Sequence, residues 1–396
     1  MSIEIRGAED DDLEALVHLD FRNFGGTVED GDVDEVREEI DLDRFLVAVD
    51  GDRLVGAAGS YAMDLTLPGL GTVPMSGVTW VSVAASHRRR GAAAGLMAGL
   101  DELSADFDEP LLGLTASEGG IYERFGYGTA TSIRVIELDR RRASIHPRFD
   151  PEPVVLVDGQ HHRDELFEIY DRFRRIRVGE VSRSPVLHRT MTMDRKKPAF
   201  AAMHPDGYAI YSIDSQWHDG HPAHKLSVVE LAAVTPEAHL ALWNLLLSVD
   251  LVGPIRSLRA VSLGDPLPQL LTDQRALRTT DLNDGLWLKV TDPVRCFGAR
   301  TYRADDRLVV GIVETVDDLL AGAEVIQTVA VGPDGCQEVD EAPDLVACRP
   351  ALGPLLLGGA ATPLAKGHRL RGDTEVLHRA DVLFGSAIEP HCGTPF

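Results

Sequence analysis

The sequence is poor in positive charge. Against 63 aspartates and glutamates it sets 39 lysines and arginines, a formal net charge of −24 over 396 residues. Nucleic acid and anionic membrane both call for clustered cations, so neither is expected as a partner. Cysteine is scarce too. Cys296, Cys336, Cys348 and Cys392 are the whole complement and none forms a CxxC pair, so neither a zinc site nor a disulfide framework is expected. No uninterrupted apolar run reaches the ~18 residues of a membrane span. The best candidate, PALGPLLLGGAATPLA from 350, is shorter and is broken by proline and glycine. The opening MSIEIRGAEDDD has no basic region followed by an apolar stretch, so no secretory signal is expected and the expected location is cytoplasmic.

What remains is an ordinary soluble composition, 44% hydrophobic and 26% charged, in a chain too long for one core. Two or three domains are expected. Strand and helix patterns alternate over 1–145, which predicts an α/β layer with a mixed sheet. IEIRGA reads as a strand and EDDDLEALVHLDFRNF as an amphipathic helix; RFLVAVDG and RLVGAAG read as a hairpin. TATSIRVIELDRR reads as the last strand of this unit. The proline-rich HPRFDPEPVV (146–155) reads as a linker, after which the pattern restarts over 146–291. There, Thr235 with Pro236 behind it is a natural helix start. The texture changes again from 292 to 396, where β meander and helices around an apolar pocket are expected.

One stretch breaks the charge pattern. VSVAASHRRRGAAAGLM (81–97) sets Arg88, Arg89 and Arg90 directly before glycine and alanine. A helix starting there has a positive N-terminal end, where cations are unfavourable by a few tenths to ~1 kcal/mol each. A bound polyanion would remove the conflict, because free N–H groups, helix dipole and guanidinium groups would then all face the same phosphates; a surface basic patch with a small-residue packing face is the alternative reading. Gly91, Ala92 and Ala93 lack bulk and let a diphosphate approach the main chain.

Arg88-x-x-Gly91-x-Ala93 after an apolar strand resembles the acetyl-CoA signature of the GCN5-related N-acetyltransferases (GNAT). The wider series VSVAASHRRRG, ASEGGIYERFGYGTAT, HPDGYAIY, DPLPQLLTD and DGLWLKV, in that order, resembles the Eis (enhanced intracellular survival) acetyltransferases. The resemblance implies three units: a GNAT domain (1–145), a degenerate GNAT-like domain without the coenzyme motif (146–291), and a sterol-carrier-like domain (292–396). It implies acetyl transfer from acetyl-CoA, without a metal, to primary amines of a polycationic small molecule such as an aminoglycoside, by a homohexamer. A protein lysine acetyltransferase is the alternative acceptor reading. A non-catalytic protein binding acetyl-CoA or lipid is the alternative from another class.

The resemblance also implies the roles. Backbone groups of Val81 and Val83 hold the thioester carbonyl. Tyr122 of SEGGIY is the general acid, and the α-carboxylate of Phe396 is the general base. Arg88, Arg89, Arg90, Gly91, Ala92 and Ala93 bind the coenzyme. Ser117, at a strand end, either bonds the coenzyme or caps the next helix. Asn23 stands where the family can carry a carboxylate, and Pro395 where an acidic residue is expected before the terminal phenylalanine. Among the acidic residues at 29–38, Glu29, Asp30, Asp32, Glu35 and Glu38 are possible acceptor contacts, while a solvated acidic loop accounts for most of them.

Overall fold

The structure is a computed structural model and describes residues 3–192 and 199–396. Its first part runs β1 (Glu4–Gly7), α1 (Leu13–Asn23), α2 (Asp32–Glu39), β2 (Phe45–Asp50), β3 (Arg53–Thr66), β4 (Thr72–Val83), α3 (Ala92–Asp106), β5 (Leu111–Thr115) and β6 (Gly128–Thr129). Asp50-Gly51-Asp52 turns β2 into β3, as expected, with Gly51 in the left-handed region.

The chain continues with β7 (Ser132–Asp139), β8 (Val155–Val157), α4 (Arg163–Arg174), α5 (Pro185–Thr192), β9 (Phe200–His204) and β10 (Gly207–Asp214). A small hairpin, β11 (Trp217–His218) and β12 (His221–Pro222), leads to β13 (His224–Ala233), α6 (Pro236–Ser248), β14 (Val252–Ser257), α7 (Leu267–Leu270) and β15 (Leu277–Asp284). Thr235 caps α6 by accepting from Ala238 N, with Pro236 in the first turn.

After β16 (Leu286–Val290) come α8 (Pro293–Gly298), β17 (Leu308–Val313), α9 (Val316–Ala321), β18 (Gln327–Gly332) and β19 (Gly335–Glu338). The last elements are β20 (Leu345–Cys348), α10 (Arg349–Leu357), α11 (Ala361–Lys366), β21 (Leu370–Gly372) and α12 (Thr374–Phe384).

Three large sheets result, ordered β1-β2-β3-β4-β5-β16-β6, β15-β7-β14-β13-β10-β9-β8, and β19-β18-β17-β20-β21. The first two do not follow the contiguous cuts at 145/146 and 291/292. β7, expected to close the first unit, pairs with β14 and β15 in the second sheet. β16, from the range of the second unit, inserts between β5 and β6 in the first. Alternation identifies a strand but not its sheet, because the hydrogen-bonding partner lies far along the chain. The stretch at 29–39 is also not a loop alone. Val33 and Val36 share one face of α2, and Val36 is buried.

The third sheet is fused to the first part through one apolar core. Leu16 of α1, Leu65 of β3, Met75 of β4, Val310 of β17, Leu352 of α10 and Phe384 of α12 all belong to it. The other face of the first sheet packs under α3 through Leu96, Met97 and Leu100. Each such fully buried side chain contributes roughly 1.5–3 kcal/mol of transfer free energy. Among the described residues, no helix is long and apolar enough to cross a membrane.

Candidate active site

The site is made by two strands that separate. β4 and β5 run parallel but share register only at Ser76–Leu112 and Gly77–Gly113. β4 then continues to Val83, paired to β3 alone, and a gap opens on its other side. A bulge lies in this stretch, where Thr79 faces Gly59 and Ser82 faces Ala57. Within it Trp80 has φ 55°, a left-handed conformation uncommon for a non-glycine residue. Its indole is held in place, donating to Tyr61 Oη at 3.3 Å and lying edge-on to Phe45. Ala84 N donates to Val55 O on β3. Backbone alternation therefore turns the Val83 N–H the opposite way, into the gap.

The arginine turn leads from this strand into α3. Arg89 (φ 63°) and Gly91 (φ 91°) are both left-handed. α3 begins at Ala92 without a side-chain cap, and its first turn closes with Gly95 N donating to Gly91 O. The N–H groups ahead of that bond are open at the helix N-terminus. Arg88 and Arg89 are exposed and pair with no carboxylate among the described residues. Arg90 is tethered by Asp50, Nη2 to Oδ2 3.1 Å.

A cleft of about 450 Å³ lies at the separation, lined by Val81, Ser117, Tyr122, Pro395 and Phe396 among others. Tyr122 is 7% exposed, packs edge-on to Tyr127 at 6.1 Å, and lines the cleft. Burial, and then the Glu118 carboxylate, raises its pKa above the ordinary phenol value. Tyr127 is fully buried, with a hydroxyl that finds no partner among the described residues.

The chain's last residues reach the same cleft from the second sheet's side. Thr115 Oγ1, at the end of β5, donates to Phe396 O at 2.6 Å. Gly77 makes room for the ring, since a Cβ there would stand 3.3 Å from Phe396 Cε2 and 2.6 Å from Met63 Sδ. Thr394 is fully buried and anchors the tail. Its hydroxyl donates to Glu180 Oε1 (2.6 Å) and accepts from Arg183 Nη2 (2.7 Å) and Nε (3.0 Å), with Tyr170 Oη at 2.9 Å. Gly393 N donates to Glu180 Oε2 at 2.8 Å. Arg183 in turn pairs with Glu230 at 2.6 Å.

Two further charged groups line the cleft, Asp20 of α1 and Arg259. Asp20 accepts from Ser82 Oγ at 2.6 Å. Burial raises its pKa, and the serine bond opposes this only in part.

Two acetyltransferase (GNAT) domain models match the chain, over residues 4–130 and 179–295. The N-acetyltransferase Eis of Mycobacterium tuberculosis is 34% identical over 98% of each chain. The crystal structure of Eis1 from Mycobacterium abscessus superposes with a TM-score of 0.88 at 31% identity, covering 99% of this chain and 100% of that one. This chain belongs to the Eis N-acetyltransferase family. A GCN5-related N-acetyltransferase from Anabaena variabilis shares the fold, with a TM-score of 0.83 at 20% identity and full coverage of both chains. Like the Eis family it belongs to, the protein is an acyltransferase of the GNAT fold.

For an Eis-family chain the expected residues are distributed plainly. Val81, Ser117, Tyr122 and Phe396 line one cleft, while Val83 and the turn from Arg88 to Ala93 follow directly along the same strand-to-helix connection. Glu29, Asp30, Asp32, Glu35 and Glu38 are not among the cleft's lining residues, and neither is Asn23, although its neighbour Phe24 is. Glu38 instead accepts from Arg189, and Asp32 from Glu29 N. Sequence reasoning missed Asp20, Thr115 and Arg259. Asp20 carried a signal, since Leu13, Leu16 and Val17 set the apolar face of α1 and position 20 continues it. Thr115 and Arg259 carried none.

Proposed function

We propose that the protein moves the acetyl group of acetyl-CoA to a primary amine of a small molecule, without a metal. The observation that carries this reading is the meeting of Tyr122 and Phe396 in one cleft at the β4–β5 separation. Arg88 and Arg89, the tethered Arg90 and the open N–H groups at Gly91, Ala92 and Ala93 hold the coenzyme's diphosphate. Backbone N–H groups of Val83 and Val81 polarise the thioester carbonyl as charge develops on its oxygen. Ser117 bonds the coenzyme chain at the cleft's edge; no helix cap competes for its hydroxyl among the described residues.

The α-carboxylate of Phe396 takes a proton from the acceptor ammonium. The freed amine forms the C–N bond, the C–S bond breaks, Tyr122 gives its proton to the leaving thiolate, and the second N–H proton, lost as the amide forms, returns to the tyrosinate. The raised pKa of Tyr122 keeps it protonated at neutral pH, as a donor must be. The Asp20 carboxylate beside that path favours a cationic acceptor, and an aminoglycoside, with several amines, is the first to assay. The protein-lysine reading has no observation of its own.

A homohexamer is proposed for the assembly, supported by Val155 and Leu156, which lie exposed on β8 at the open edge of the second sheet. A sterol-carrier-like unit over 292–396 is supported by a five-stranded sheet covered by helices. A cytoplasmic location is supported by four unpaired cysteines.

The test uses the position of the Phe396 carboxylate. A few residues added after Phe396 turn that carboxylate into an amide and move the charge several ångström away. With acetyl-CoA and an amine panel read by mass spectrometry, the C-terminally extended enzyme should lose nearly all turnover. It should keep acetyl-CoA binding, and an N-terminal tag should leave the activity intact. Full activity after extension would move the base to Asp20 or water.

A further inference from the structure

Arg259 is a cation without an assigned task. It follows β14, is half-buried, and lines the reaction cleft together with two adjoining cavities of about 390 and 330 Å³. Among the described residues its guanidinium pairs with no carboxylate, and its Nη1 is buried with no hydrogen-bond partner. Glu180, the carboxylate whose charge acts on Arg259, is already committed to the tail. Glu180 accepts from Thr394 Oγ1, Gly393 N, Tyr170 Oη and Val181 N. Burial disfavours the charged form of Arg259, and the nearby Glu180 carboxylate offsets this only in part. An arginine held this way costs stability unless a ligand supplies the missing anion.

The cleft therefore carries charges of both signs. Asp20 and the Phe396 carboxylate are suited to an ammonium group. Arg259 is suited to the opposite charge, and its planar fork matches an oxyanion in particular. A pure polycation filling this cleft would bring positive charge against Arg259 in a poorly solvated place. A molecule with an amine at one end and an oxyanion at the other would meet its complement at both.

We propose that Arg259 recognises an oxyanion on the acceptor, so that the molecule acetylated carries a carboxylate or phosphate beside its primary amine. This rests on the amine-acceptor reading but replaces its polycationic acceptor with one that carries an anion as well as the amine. The anion is drawn in beside the tail, and the amine is left pointing at the Phe396 carboxylate.

The test compares matched probes that share one primary amine: 6-aminohexanoate, 6-aminohexyl phosphate, 1,6-diaminohexane and hexylamine. Wild-type enzyme should prefer the two anionic probes over hexylamine by at least about tenfold in kcat/KM, the size of one charge-assisted contact. The preference between the carboxylate and the phosphate names the group. In Arg259→Met the preference should collapse towards unity through KM for the acceptor, with KM for acetyl-CoA unchanged. Arg259→Lys should keep part of it, since a point charge replaces the fork. Turnover of the diamine and hexylamine at or above that of the anionic probes, with the same ratios in Arg259→Met, would overturn the proposal and leave amine acetylation standing. Failure of the wild-type enzyme to acetylate any of the four, with acetyl-CoA bound, would instead count against the small-amine reading on which the proposal rests.

Discussion

Replacing Thr394 by valine keeps the shape of a fully buried side chain and removes one hydroxyl. That hydroxyl joins the tail to two charged groups, Glu180 and Arg183. Hydrogen bonds to charged groups contribute about 1.5–3 kcal/mol, and a buried charge left one bond short keeps its desolvation cost. Arg183 retains Glu230, and Glu180 retains Gly393 N, so the lower half of that range is the better expectation. A loss of about 1.5–2 kcal/mol shifts the balance between docked and undocked tail by roughly 10- to 30-fold. The proposed base at Phe396 is present only in the docked form. Thr394→Val should therefore lower kcat, with the roughly 10- to 30-fold shift in that balance as the upper bound, and leave KM for acetyl-CoA alone, because the arginine turn is no part of the tail's anchor. Steady-state kinetics with a saturating amine reads both quantities, and Thr394→Ser should restore most of the loss. The reasoning is refuted by a Thr394→Val enzyme with wild-type kcat and an unchanged melting temperature. It is equally refuted if KM for acetyl-CoA and kcat shift together.

Three other outcomes can be measured directly. Arg88→Ala or Arg89→Ala should raise KM for acetyl-CoA by about 10-fold or more, the equivalent of one lost charge-assisted contact, with little change for the amine; equal effects on both substrates would make these arginines structural. Tyr122→Phe should lower kcat by about 100-fold, whereas Tyr127→Phe removes a hydroxyl that has no partner among the described residues and should be nearly silent. His188, buried beside Arg183, has its pKa pushed down to about 4, by burial first. The unfolded chain then binds the extra proton between about pH 6.5 and 4, so stability should fall by about 3 kcal/mol as pH drops through that window. Thermal melts of wild type and His188→Gln between pH 7 and 4 would show it, and a wild-type slope no steeper than the variant's would count against it.

The parts of the site that were legible in the sequence are those built by neighbours in the chain. The turn from Arg88 to Ala93 needs left-handed residues, small side chains and open N–H groups within a few positions, and all of these are written locally. The start of α6 at Thr235 and Pro236 is legible for the same reason. Asp20 was legible in principle, because a carboxylate on the apolar stripe of α1 has to meet something polar, here Ser82. Arg259 was not, since nothing in SLRAVSLG separates a cleft arginine from a solvated one. The exchange of β7 and β16 was hidden for a different reason. SIRVIELD and LWLKV alternate or run apolar as strands in either sheet would, and only the distant partners decide between them.

That exchange sets a schedule for synthesis. A ribosome delivers β5 and β6 long before β16, yet among the described residues β16 is the only strand paired with β6, and it covers the far edge of β5. From Thr129 until Leu286 emerges, a nascent chain translated at ordinary speed spends roughly 10–30 s with that edge open. The uncovered strand is LLGLT, almost wholly apolar, the kind of edge that recruits other strands. The second sheet, which needs β15 at its border, closes only just before the first. The two lobes thus finish nearly together rather than one after the other. A gene fragment encoding either lobe alone would yield a sheet with a strand missing and another strand with nowhere to go.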